Sequence, residues 1–116
     1  MHYELNIGLD TANGAGTPAS RAALADKALD LLRTANIAVF GTCIIGDLRG
    51  TEEPCLHAHI AGSGVEVKVG HVSEKLGQDC IALVDDDGKG VLVGPRAASW
   101  GDFNPELFRR PATVDA

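Results

Sequence analysis

Cys55, His57 and His59 alternate with Leu56, Ala58 and Ile60 in the stretch CLHAHIA. On a β-strand, alternate residues share a face, so the thiol and both imidazoles would stand side by side, about 6.5–7 Å apart along the strand. Two imidazoles at that spacing reach one zinc ion, and a thiolate is a good third ligand. Cys43 or Glu4 would complete such a site from neighbouring strands. The same groups have chemistry without a metal. Histidine titrates near neutral pH and serves as acid or base. A cysteine beside a histidine can act as an activated thiolate. Against these stands the ordinary alternative, a sheet face with partly exposed histidines. The stretch has neither the paired spacing of a zinc finger nor an evident orienting residue or oxyanion donor.

Other stretches carry weaker chemistry. NGAGTP, residues 13–18, could place a glycine-rich loop against a helix N-terminus, where phosphate binds. It lacks the Walker lysine and the full dinucleotide spacing, so it reads as a strand-to-helix connection. DDDG, residues 85–88, lacks the alternate spacing and distant glutamate of a calcium loop. It reads as a charged hairpin tip that guards an edge strand. In SWGDFNP, residues 99–105, Trp100 and Phe103 are two of only five aromatic residues in the chain. They could anchor a partner, but the favoured role is pinning a C-terminal segment to the domain.

The elements that must position these residues follow from periodicity. Tyr3, Leu5, Ile7 and Leu9 alternate with Glu4, Asn6 and Gly8, the period of a half-buried strand. Thr17 and Pro18 suit an N-cap and first helical position. The helix from about Pro18 to Ala35 carries an apolar stripe of Leu24, Ala28, Leu31 and Ala35, widened by Leu32. A second strand is predicted over residues 37–46, a polar turn over 47–54, and a third strand over 55–61. Residues 65–77 fit two patterns. VEVKV alternates like a strand, yet Val65, Val69, Val72 and Leu76 recur at helical spacing, and Gly77 suits a helix end. The spacing predicts a helix there, with a short strand followed by a shorter helix as the alternative. Asp87–Gly88 signals a hairpin between two apolar runs. Pro105 would open a short turn holding Leu107 and Phe108. Residues 106–116 are expected to be a partly flexible tail of one domain spanning 1–116.

The resulting order, β-α-β-β-α-β plus an extra C-terminal strand, predicts an α+β fold of the ferredoxin-like split β-α-β sandwich type. Its antiparallel sheet would carry two helices on one face, with strands in the order 4-1-3-2 and the fifth beside the fourth. Glu4, Asn6, Cys55, His57 and His59 would then face away from the helices. A hairpin centred near residue 50 would place Cys43 opposite His57 and Ile45 opposite Cys55. That register also puts Ile37 and Val39 on the open face, which becomes too apolar to be left in water.

A chain of 116 residues with 45% hydrophobic residues can bury a core as one domain without disulfides or metal. A net charge of −6 argues against nucleic-acid partners. No apolar run approaches the ~20 residues of a membrane span. The first residues lack a signal-peptide pattern, and three cysteines are an odd number for a disulfide framework. Together these predict a cytoplasmic location and reduced thiols. The expected function is a small ligand- or protein-binding or regulatory module, homodimeric through its open sheet face, with no cofactor. Its candidate binding residues are Glu4, Asn6, Cys43, Cys55, His57 and His59. One alternative is a small hydrolase or isomerase with a His/Cys/Glu site on the same face, assisted either by histidine alone or by zinc held by Cys55, His57 and His59. Another is an acidic stand-alone inhibitor of a larger protein.

Overall fold

Alternation of apolar and polar residues holds through β1 (His2–Gly8) and β3 (Cys55–Ala61), which pair antiparallel. The computed structural model describes residues 2–9, 17–48, 55–100 and 111–114. Its remaining elements are α1 (Pro18–Thr34), β2 (Ala38–Leu48), α2 (Val65–Leu76), β4 (Ile81–Asp85), β5 (Gly90–Val93), a 3-10 turn (Ala97–Trp100) and β6 (Pro111–Val114). The fold is α+β. A six-stranded sheet runs β5-β4-β1-β3-β2-β6, and each neighbouring pair is antiparallel.

Both helices bury their apolar stripes against one sheet face. Leu5, Ile7, Leu56, Ala58, Ile60, Ile81 and Leu83 meet Ala25, Ala28 and Leu32 of α1 and Val65, Val69 and Val72 of α2 in a single core. Each fully buried Leu, Ile or Val contributes roughly 1.5–3 kcal/mol relative to exposure. Residues 65–76 are helical because this stripe at helical spacing finds the core, which outweighs the strand-like alternation of VEVKV.

Local chemistry fixes the helix ends. Thr17 Oγ1 accepts from the Ser20 amide at 3.1 Å, and Ser20 Oγ accepts from the Thr17 amide at 2.8 Å, a reciprocal capping box with Pro18 in the first turn. Gly77, at φ 70°, ends α2 in the left-handed region that glycine enters without strain. Just beyond it, the Gln78 side-chain amide donates to the Gly8 carbonyl at 3.1 Å and ties this helix end to the end of β1. Residues 85–88 form a hairpin tip. Asp85 Oδ1 accepts from the amides of Asp87 and Lys89, both at 2.9 Å, and Gly88 takes φ 81°.

One expectation is corrected: Ile37 and Val39 lie on the helix side. Ile37 belongs to the buried core, and Val39 packs against it, opposite Ile60. The cause is a bulge in β2. Phe40 pairs with His59 and Cys43 with His57, so three residues of β2 span two of β3. The extra residue reverses the side to which β2 side chains point, and Gly41 takes φ 60° within it. Beyond the bulge, Cys43 opposes His57 and Ile45 opposes Cys55, the register expected from the hairpin. Residues 111–114 form β6 and pair antiparallel with β2. The glycines of NGAG, the turn near residue 50, Phe103 and the turn at Pro105 lie outside the described residues. Among the described residues, no helix is long and apolar enough to cross a membrane.

Candidate functional site

The face opposite the helices is set by the β1–β3 register. Glu4 lies directly across from His59, Asn6 from His57, and Gly8 from Cys55. Residues paired in this way point to the same side of the sheet. Glu4, Asn6, His57 and His59 therefore form a rectangle of polar side chains on two central strands. On the far side of β1, Val84 and Ala82 oppose Glu4 and Asn6. Both are buried, as is Cys55. The polar rectangle is thus framed by apolar residues already shielded from water.

Three of the four groups converge. One ligand atom each from Glu4, His57 and His59 lies within 4.8 Å of the others. The fourth, Asn6, is only 4% exposed. Its Oδ1 stands 3.0 Å from His57 Nδ1. With that oxygen as acceptor, His57 carries its proton on Nδ1 and keeps a lone pair on Nε2. Asn6 Nδ2 is buried without a hydrogen-bond partner among the described residues. A buried amide left in that condition costs about 1–3 kcal/mol.

Electrostatics favour a neutral His57. Burial pushes its imidazole below the ordinary value of 6.5; the Glu4 carboxylate opposes that shift, and His59 reinforces it. His59 is held by rings. It stacks on Phe40 with centroids 5.8 Å apart and planes 14° apart, and meets His57 edge to face at 5.5 Å. Phe40 also meets His2 edge to face. A Cβ added at Gly41 would stand 3.1 Å from His59 Cδ2, so the bulge glycine makes room for this ring.

The residues proposed from sequence are therefore only partly brought together. Glu4, Asn6, His57 and His59 form one cluster. Cys55, expected as a metal ligand with His57 and His59, is buried opposite Gly8 and is not in the converging trio. Glu4 takes that place, because it faces His59 across the strand pair while Cys55 is displaced along β3. Cys43 opposes His57 but also lies outside the trio. Sequence reasoning missed Phe40 and Gly41. A glycine inside a predicted strand is the one local sign of a bulge that could have revealed them.

A shallow hollow of about 370 Å³ lies between α2 and β5 on the helix side. Glu66, Val67, His71, Glu74, Leu92 and Pro95 line it. No converging set of ligand atoms occurs there among the described residues. Compared with models of protein families, with curated proteins and with solved structures, the chain matches none.

Proposed function

We propose that this protein is a small binding module whose ligand seats on the sheet face opposite the helices. The observation that carries this reading is the buried Asn6 amide. Among the described residues its Nδ2 donor has no partner, on the sheet face that also carries Glu4, His57 and His59. Native folds rarely leave such a donor orphaned, and a ligand atom that accepts from it would remove the penalty. The fold reading belongs to the same proposal. The order β4-β1-β3-β2 inside the sheet supports a ferredoxin-like sandwich extended at both edges. A cytoplasmic location is likewise proposed, supported by the odd count of three cysteines.

The test is a two-dimensional NMR titration of the full chain with inorganic phosphate, citrate and zinc chloride as separate probes. At least one probe should move the imidazole signals of His57 and His59 together, and Asn6→Leu should shift that response to higher probe concentration. If none of the probes moves them at millimolar concentration, the binding reading is overturned. Homodimerisation through this face is proposed on narrower support. Phe40 is 46% exposed beside the cluster, whereas Cys55, Ala82 and Val84 are already covered within one chain. Solution mass of the wild type and of Phe40→Asp tests it; a monomeric wild type rejects the dimer and leaves the ligand site standing.

A further inference from the structure

We infer that Glu4, His57 and His59 bind one divalent cation of the zinc class, with Asn6 as the residue that orients His57. This inference rests on the open-face binding reading and names its ligand. The first support is donor chemistry. Two imidazole nitrogens and one carboxylate oxygen suit borderline transition ions, whereas magnesium and calcium prefer oxygen alone. Two histidines and a glutamate are also a known three-ligand zinc set that leaves a coordination position open.

The second support is placement. The three donors come from directly opposed or alternate positions of two hydrogen-bonded central strands, so the backbone holds their spacing rigidly. Their atoms lie within 4.8 Å of one another without a metal. Around an ion with bonds of 2.0–2.2 Å, tetrahedral donors stand roughly 3.5 Å apart. The trio must close by up to about an ångström, a movement that side-chain rotation supplies without moving the strands.

The third support comes from Asn6, a residue outside the trio. Metal-bound histidines almost always donate their other ring N–H to an acceptor, which fixes the tautomer and the ring plane. The contact from His57 Nδ1 to Asn6 Oδ1 at 3.0 Å has that form and leaves His57 Nε2 for the ion. The spare Asn6 Nδ2 then has a natural role. Three protein donors leave a position for water or another small oxygen ligand, and an oxygen there can accept from Nδ2. The buried asparagine thus serves the ion on one side and its exchangeable ligand on the other. Phe40, stacked on His59, limits the rotation of the second imidazole.

The experiment uses the full chain without an affinity tag, stripped with a chelator and titrated with zinc chloride against a chromophoric zinc indicator. Magnesium chloride is the control. The expected result is one zinc per chain and no response to magnesium. Asn6→Leu should weaken zinc binding on the order of 10–100-fold, as loss of an orienting partner does. Asn6→Asp, which keeps the acceptor, should retain more of the affinity than Asn6→Leu. His57→Ala and His59→Ala should each lose more than Asn6→Leu. Cobalt substitution adds a readout of geometry, since its visible spectrum reports coordination number and should change in Asn6→Leu. Thermal unfolding of each metal-free variant checks that it folds. Three results would overturn the inference: no stoichiometric zinc on the wild type, zinc binding that survives in the His57→Ala/His59→Ala double variant, or magnesium bound as tightly as zinc. If zinc fails but phosphate or citrate still moves the two imidazole signals, the metal is wrong and the binding module stands. If all three probes fail, both are wrong.

Discussion

Gly41→Ala tests whether the β2 bulge shapes the site or merely borders it. Gly41 takes φ 60°. An L-residue pays roughly 1–2 kcal/mol in that region. Alanine also stiffens the unfolded chain, which offsets about 0.4–1 kcal/mol. The net backbone cost is therefore on the order of 0.5–1 kcal/mol. Gly64 and Gly77 supply the calibration. They take φ 60° and 70°, and a Cβ added at either meets nothing within 4 Å. Gly64→Ala and Gly77→Ala should show the backbone cost alone. At Gly41 the new Cβ stands 3.1 Å from His59 Cδ2, so the ring must also yield by a few tenths of an ångström. Pushing it off its rotamer and its stack on Phe40 adds about 0.5–1.5 kcal/mol. Gly41→Ala should thus cost about 1–2.5 kcal/mol in urea denaturation. It should also move the His59 imidazole signal while leaving that of His71, exposed on α2, in place. Gly41→Asn, which tolerates the left-handed region, should keep the His59 shift with less loss of stability. The reasoning is refuted if Gly41→Ala costs no more than Gly64→Ala and the His59 signal does not move.

Other predictions follow from single contacts. Tyr3 is the only tyrosine in the chain. Burial raises its phenol above 10.0, and the Glu66 carboxylate, 3.3 Å from the hydroxyl, adds to the shift. Because the folded value exceeds the unfolded one, this stabilisation is fully present below pH 10 and is lost as pH rises through the folded value. A titration of tyrosinate ultraviolet absorbance should therefore have its midpoint above 10.0 and move down in Glu66→Gln; a wild-type midpoint at or below 10.0 contradicts the burial argument. Gly94→Ala should be far more costly than any of the glycine changes above, about 3 kcal/mol or more. Its Cβ would meet Ser73 Oγ at 2.6 Å, the Asp79 carbonyl at 2.7 Å and Cys80 Cα at 2.8 Å; a denaturation midpoint near that of the wild type would show that this packing is looser than described. Thr17→Ala removes one half of the capping box and should cost about 1 kcal/mol, with helix loss visible by circular dichroism before global unfolding.

By itself the sequence determined what repeats locally. The alternation of Tyr3, Leu5 and Ile7 with Glu4 and Asn6 assigned two faces to β1. The same period put His57 and His59 together on β3. Thr17–Pro18, Gly77 and Asp87–Gly88 marked two helix ends and a hairpin through turn and cap chemistry that depends only on near neighbours. What the tertiary structure decided depends on residues far apart in the chain. Which carboxylate or thiol joins the histidines is a matter of register between strands separated by some fifty residues, and that register chose Glu4 over Cys55. One extra residue at Gly41 turned Ile37 into the core, Val39 against it and Phe40 towards His59, because a single-residue shift reverses every side chain beyond it. Val65, Val69 and Val72 became a helix face only because a core was there to receive them. The pairing of residues 111–114 with β2 needed an available edge, which no local pattern reveals.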